Sequence, residues 1–471
     1  MARSCGTCRD RRILCDRAAP TCTQCARSNR VCKGYGIRLS WPKSNDGRRA
    51  IVGKGIHGRR AARQLAFSTV VNVSDFDIKL HYLLSHGFAS DYSSLSLNVP
   101  VPFTMLTYTD TDAELLEYCK YRPSVESTAS ESLAILGHNA KDLGRILLRM
   151  ALINNSPSST AVLRGLLALS SIHRYGLQAQ GFELKISAIK ALGEASRSTI
   201  GAAEALQHVA AGMLLCSFEI YKASCTSSQW WCYVTGVKQV LNASCWLHFR
   251  EDDTFSALLD WVFFHETLGR FSLLHWRPTL HVEEAPRSAV CSGVDKLIPS
   301  ATNTLLWLFK QGCYHLAAAA DLAACIEPLR SLAREIQDTP LPDTPDPTLE
   351  LFQLSILVYL NRMTNSTLEP QITTQARIQR AFAIFETLKS CPRQLSLFIL
   401  GCEARADEER CIILELIDRT EASASSRSTF IVKALTKAVW VQDDFAGERE
   451  LDYREKMDAI VSVCSLLPTF V

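Results

Sequence analysis

No run of 18 consecutive apolar residues occurs in this 471-residue chain, so the sequence offers no membrane-spanning helix. The opening Met-Ala-Arg-Ser-Cys lacks the apolar stretch of a secretory signal. The short catalytic signatures are missing as well. There is no G-x-S-x-G elbow, no phosphate-binding P-loop and no dinucleotide fingerprint. His265-Glu266 lacks the second histidine that a zinc-protease helix carries four residues on. Strand-type alternation is weak throughout, and no a/d heptad is sustained through residues 33–75. The expectation is a chain that is not an enzyme, has no membrane partner and has no coiled coil after its N-terminal segment.

Charge and cysteine are what the sequence does have, and both are unevenly spread. Residues 1–71 hold 16 Lys/Arg against 3 Asp, which leaves 35 basic and 45 acidic residues in 72–471. The head is therefore +13 and the remainder −10, although the whole chain is only +3. A compact basic head suits a polyanion such as nucleic acid. Of 18 cysteines, 12 are scattered through the remainder in mostly apolar surroundings, where they read as reduced, buried small side chains. That pattern points to a reducing compartment, cytosol or nucleus, and against a disulfide framework.

The other six cysteines fill the first 32 residues: Cys5, Cys8, Cys15, Cys22, Cys25 and Cys32. Their spacing, C-x2-C-x6-C-x6-C-x2-C-x6-C, repeats one pattern twice. Two tetrahedral zinc ions need eight ligand positions, so six thiolates can serve two metals only if two sulfurs bridge. The expectation is two structural zinc ions in a six-thiolate cluster of formal charge −2. Each C-x2-C pair should set the first turn of a short helix, with backbone N–H groups directed at sulfur. Basic residues surround the cluster: Arg9, Arg11, Arg12 and Arg17 in the first half, Arg27 in the second. The planar fork of arginine bonds both O6 and N7 of guanine in the major groove.

With Cys8-Arg9-x-Arg11-Arg12, Cys15-Asp16 and Pro20, the segment Cys5–Cys32 resembles the fungal binuclear zinc cluster, a DNA-binding domain of fungal transcription factors. The resemblance implies double-stranded DNA as partner, a CGG-like triplet as target, and Cys5 and Cys22 as the bridging thiolates. It places Arg12, with Arg11 beside it, at the base-reading position and Arg9 at a phosphate contact. Leu14 departs from the pattern, since the family usually has lysine there. The loss of that contact should weaken nonspecific affinity without changing the triplet read. Gly34-Tyr-Gly36 through Trp41-Pro42 is similar to one branch, the acriflavine-sensitivity control proteins. Family analogy further implies a nucleus-localised regulator of RNA polymerase II transcription that engages the transcription machinery and controls secondary-metabolism genes. A zinc-folded protein-interaction adaptor is the alternative.

The expected domains are the zinc cluster (1–34), a basic Gly/Arg-rich linker (35–71) and an all-α regulatory body (72–471). Arg48 and Arg49, with Arg59, Arg60 and Arg63, form two basic clusters that suit a bipartite nuclear localisation signal or further phosphate contacts. Without a coiled coil, the protein binds as a monomer or as a homodimer through the body. Helical periodicity marks 131–153, 158–175, 179–196, 203–222, 229–243, 253–273, 301–337, 349–363, 372–389, 400–418, 427–442 and 450–466. The stretches Leu163–His173, Ala210–Glu219, Ser228–Gly236 and Leu258–Phe271 resemble the fungal-specific transcription factor domain. His173 and His265 read as core histidines. Trp230 and Trp231 read as core, with a small-molecule pocket as the sharper alternative. Gln442–Tyr453, mixing acid and aromatic residues, reads as a solvated helix face, with an activation segment as the alternative.

Overall fold

A computed structural model describes residues 4–18, 21–33, 73–86, 95, 112, 114–116, 140–176, 178–197, 201–221, 229–243, 253–276, 301–318, 322–341, 347–391, 393–423, 427–447, 449 and 451–471. The chain divides into two compact units, Met1–Thr69 and Val70–Val471. The first contains the cysteine cluster with two short helices, α1 (Gly6–Asp10) and α2 (Thr23–Arg27). The second is all-α, with no strand among the described residues.

The body runs α3 (Asp75–His86), α4 (Ala140–Leu152), α5 (Pro157–Tyr175), α6 (Ala179–Ala195), α7 (Ala202–Tyr221), α8 (Gln229–Ala243) and α9 (Asp253–His275). It continues with α10 (Ala301–Ala318), α11 (Leu322–Asp338), α12 (Pro347–Met363), α13 (Gln371–Thr387), α14 (Gln394–Gly401), α15 (Asp407–Ser423), α16 (Arg427–Ala446) and α17 (Tyr453–Ser462). Neighbours in sequence pack on one another, with α7 and α9 at the centre. Every residue from Ala205 to Ile220 is buried, so α7 is enclosed on all sides rather than amphipathic. Phe271 of α9 meets the rings of Phe309, Tyr359, Phe398 and Phe470 edge-on or tilted, which ties four parts of the chain into one core.

Local chemistry sets the helix ends. Ser156 caps α5 by accepting from the Ser159 N–H, Pro157 opens the first turn, and Gly176 closes the helix at φ 71°. Asp452 caps α17 in the same way through the Glu455 N–H. The expected stretch 301–337 is two helices, α10 and α11. Leu316 and Cys325, on either side of the junction, are both buried in one core, so the apolar period carries across. The stretch 400–418 also divides: α14 ends at Gly401 and α15 starts at Asp407. The turn between them buries Cys402 and Ala404, which disguises it as helix in the pattern. Glu409 caps α15 there by accepting from the backbone N–H groups of Arg405 and Ala406. Helix α3 lies outside the expected stretches, although Ser74 and Asp77 form the reciprocal capping pair that announces it. It packs against α16 and α17, with Gln442 donating to the Asp77 carbonyl at 3.0 Å.

Two glycines from the family-like stretches behave differently. A Cβ on Gly269 would fall 2.3 Å from the Trp231 ring, whereas one on Gly236 meets nothing within 4 Å. Gly269→Ala should therefore overpack the α8–α9 contact at a cost of about 1–3 kcal/mol, only partly offset by better helix propensity. Gly236→Ala should stabilise by about 0.5–1 kcal/mol. Urea unfolding of the two variants checks this pair, and equal effects would contradict the packing.

Candidate metal centre and nucleic-acid interface

The head is one backbone unit used twice, 17 residues apart. Cys5 and Cys22 are the N-cap residues of α1 and α2, and their sulfurs accept the N–H groups of Cys8 (3.3 Å) and Cys25 (3.4 Å). A helix start favours negative charge, which suits a thiolate. Both helices end identically. Arg12 N–H bonds the Arg9 carbonyl and Ile13 N–H the Cys8 carbonyl, while Asn29 and Arg30 repeat this on Ala26 and Cys25. This is the Schellman closure, which needs a left-handed residue at the first position past the cap. Arg12 (φ 55°) and Asn29 (φ 48°) occupy that position.

The sulfurs converge. Cys5, Cys8, Cys15 and Cys22 form one group and Cys5, Cys22, Cys25 and Cys32 a second, each with all sulfurs within 4.8 Å of one another. Cys5–Cys22 and Cys8–Cys22 are 3.6 Å apart, and Cys5–Cys25 3.8 Å. Tetrahedral zinc with ~2.3 Å bonds holds its sulfurs about 3.8 Å apart, so the donor set fits that metal. Cys5, Cys8, Cys22 and Cys25 are buried, and Cys15 and Cys32 half-buried. The Cys5 N–H, 3.5 Å from the Cys15 sulfur, helps lower that thiol to about 7.

Four further contacts join the halves. Asp16 accepts the Thr23 N–H with both oxygens at 3.1 Å, which holds its carboxyl below the usual range. Thr7 donates to the Val31 carbonyl at 2.8 Å and accepts the Lys33 N–H at 3.1 Å. Lys33 pairs with Asp10 at 3.3 Å. The brace role of Thr7 escapes the sequence; the place of Asp16 after Cys15 is part of the recognised pattern, but its partner Thr23 is not legible there.

Arg9, Arg11, Arg12, Arg17 and Arg27 are all exposed. They differ in engagement: Arg11 donates to the Ser28 hydroxyl at 3.1 Å across the two halves. Leu14 is 93% and its repeat equivalent Val31 87% exposed, two apolar side chains in water at the same place in each half. Pro20, Arg48, Arg49, Arg59, Arg60 and Arg63 lie outside the described residues.

In the body, His265 is fully buried. Its Nδ1 lies 3.0 Å from the Trp261 carbonyl, and burial lowers it to about 4. His173 lies tilted against the Tyr221 ring, centres 5.4 Å apart, and is lowered to about 4 by the same cause. Trp230 is buried and donates to the Leu467 carbonyl at 3.2 Å. The expected solvated face at Gln442–Tyr453 is corrected. Gln442 is buried and Asp443 half-buried with its side chain 6% exposed; Asp443 pairs with Lys456 and Arg405, and Asp444 takes both arms of Arg410. These acids hold the α15–α16–α17 corner together, because each has a cation within the fold. No helix among the described residues is long and apolar enough to cross a membrane.

Comparison with known proteins agrees with this anatomy. Residues 3–42 match the family model described as the fungal Zn(2)-Cys(6) binuclear cluster domain, and residues 125–464 match that of the fungal specific transcription factor domain. The transcription factor iacI of Pestalotiopsis fici is 38% identical over 376 residues, covering 76% of this chain and 95% of that protein. The arginine metabolism regulation protein II of Saccharomyces cerevisiae is 49% identical over 39 residues, 8% of this chain and 4% of that protein. No solved structure matches.

Proposed function

The chain belongs to the fungal Zn(2)-Cys(6) transcription factors, zinc-binding and DNA-binding regulators rather than enzymes, and from that premise we propose how its head reads DNA. Two zinc ions fill the two sulfur groups, with Cys5 and Cys22 as ligands to both. Zinc here folds the head, and with four thiolates at each metal no coordination position is open for chemistry. What carries the reading is that the two four-sulfur groups share Cys5 and Cys22, with exposed arginines along the first half.

Arg12 is the base reader of a CGG-like triplet. It sits where the backbone turns left-handed just past α1, exposed, while its neighbour Arg11 braces the second half through Ser28. Arg9, Arg17 and Arg27 contact phosphates. The protein acts in the nucleus on RNA polymerase II promoters through the transcription machinery, with Arg48, Arg49, Arg59, Arg60 and Arg63 as the import signal. The domains run 1–34, 35–71 and 72–471, and any homodimer forms through the body. Secondary-metabolism genes as targets rest on family analogy.

Selection of duplexes from a random pool, with the full zinc-loaded chain, tests this. One enriched CGG-like triplet supports monomeric reading, and two at fixed spacing support a dimer. No enrichment, with affinity insensitive to salt, would favour the adaptor. On the selected site Arg12→Ala should cost about 1–3 kcal/mol, and less on mismatched sites. Arg12→Gly should lose DNA equally while relieving about 1 kcal/mol of left-handed strain in the head. Equal loss on every sequence would make Arg12 a phosphate contact.

A further inference from the structure

We propose that the body contains a binding site for a small dianion, in a cavity of about 160 Å³ between α11, α12 and α13. Arg330, Ala333, Arg334 and Gln337 line it at i, i+3, i+4 and i+7, which is one face of α11. The opposite wall is Asn361 of α12, Glu369 in the following loop and Arg377 of α13. Ala333 is the small residue on the α11 face, and its missing bulk helps to leave the space.

The wall opposite α11 is fixed in advance. Asn361 Oδ1 accepts the N–H groups of Leu368 and Glu369 at 3.1 Å, and its Nδ2 donates to Thr374 Oγ1 at 2.8 Å. Thr374 donates to Glu369 at 2.8 Å, and Glu369 takes Nε and Nη2 of Arg377 at 2.9–3.2 Å. Gln337 Oε1 accepts a further bond from Arg377 Nη2 at 3.2 Å. Arg377 thus keeps one orientation, with its Nη1 edge unspent among the described residues.

The lining sets three guanidinium groups against one carboxylate. Glu327 pairs with Arg330 from outside the cavity, where it is 77% exposed and screened. Arg334 has no ion-pair partner among the described residues. Guanidinium forks match carboxylate and phosphoryl oxygens, and a doubly charged ligand would offset the excess of positive charge. The space has room for a small anion such as inorganic phosphate or a four- to five-carbon dicarboxylate.

Calorimetric titration of the full zinc-loaded chain with succinate, and separately with inorganic phosphate, tests the site. Acetate at matched ionic strength is the monoanion control. One saturable site for at least one dianion, at least tenfold tighter than acetate, is expected. Arg334→Gln, at an exposed position, should weaken it by about tenfold or more. Ala333→Leu should abolish it by filling the cavity while leaving every charge. Tighter succinate assigns a dicarboxylate, and tighter phosphate a phosphoryl group. Binding that survives both variants belongs elsewhere, such as the basic head, and overturns the proposal. So does acetate binding equal to the dianions, or no saturable heat up to about 10 mM.

Discussion

Cys5→Ser is expected to empty the head of metal altogether and abolish DNA binding, whereas Cys15→Ser should leave one four-sulfur group complete. The difference comes from membership. Cys5 belongs to both sulfur groups and Cys15 to one. Cys5 also caps α1 and lies within 3.8 Å of both Cys22 and Cys25. Structural zinc supplies about 10–16 kcal/mol of apparent binding energy that a head this small has no apolar core to replace. Metal content by native mass spectrometry, read beside a gel shift, separates the cases. Two zincs retained by Cys5→Ser would contradict the bridging assignment. Cys232→Ser, at an exposed position of the body, is the control and should change neither readout.

The second large effect lies in the body. Glu266 is 2% exposed in the middle of α9, and its two oxygens meet Lys238 of α8 and Lys310 of α10. Lys310, itself almost fully buried, also lies 4.7 Å from the Phe263 ring centre. Burial pushes the Glu266 carboxyl up, but Lys310 and Lys238 outweigh that and hold it below the usual range. Glu266→Gln should cost about 3–5 kcal/mol, because two ammonium groups lose the carboxylate they share inside the fold. The double variant Glu266→Leu/Lys310→Met should recover much of that loss, since paired apolar replacements are often close to neutral. Urea unfolding monitored by tryptophan fluorescence reads both. Because the folded carboxyl is lowered, its contribution is complete above the ordinary value of 4.5 and is lost as pH falls below it. Wild type and Glu266→Gln should therefore converge in stability in acid. A constant gap between them would remove the pair from the account.

The head was largely legible because its chemistry is set by spacing. Cysteines at fixed intervals declare a metal, and the repeat declares two half-sites. The shape of the chain past each helix was not legible: an arginine at φ 55° violates local preference, and only the closure around Cys8 shows why the backbone accepts it. In the body, period alone placed most helices but misread the turn after Gly401, whose residues are as buried as helix. It also misread Asp443 and Asp444, whose partners Lys456, Arg405 and Arg410 lie 13 to 38 residues away. Charge in a sequence reads as surface until the fold supplies the opposite charge.

The 17-residue repeat of the head has a consequence for orientation. Exchanging the two halves overlays Cys5 on Cys22 and α1 on α2, yet puts Ala26 for Arg9, Ser28 for Arg11 and Asn29 for Arg12. The scaffold repeats while its chemistry does not: the first half carries Arg9, Arg11 and Arg12, whereas the second carries Arg27 and Arg30 where the first has Asp10 and Ile13. A duplex approached by this head is met by two unlike cationic edges, never by two equal ones. Its two possible placements on a site differ in energy, so the head carries a direction along the DNA that its metal framework alone would not have.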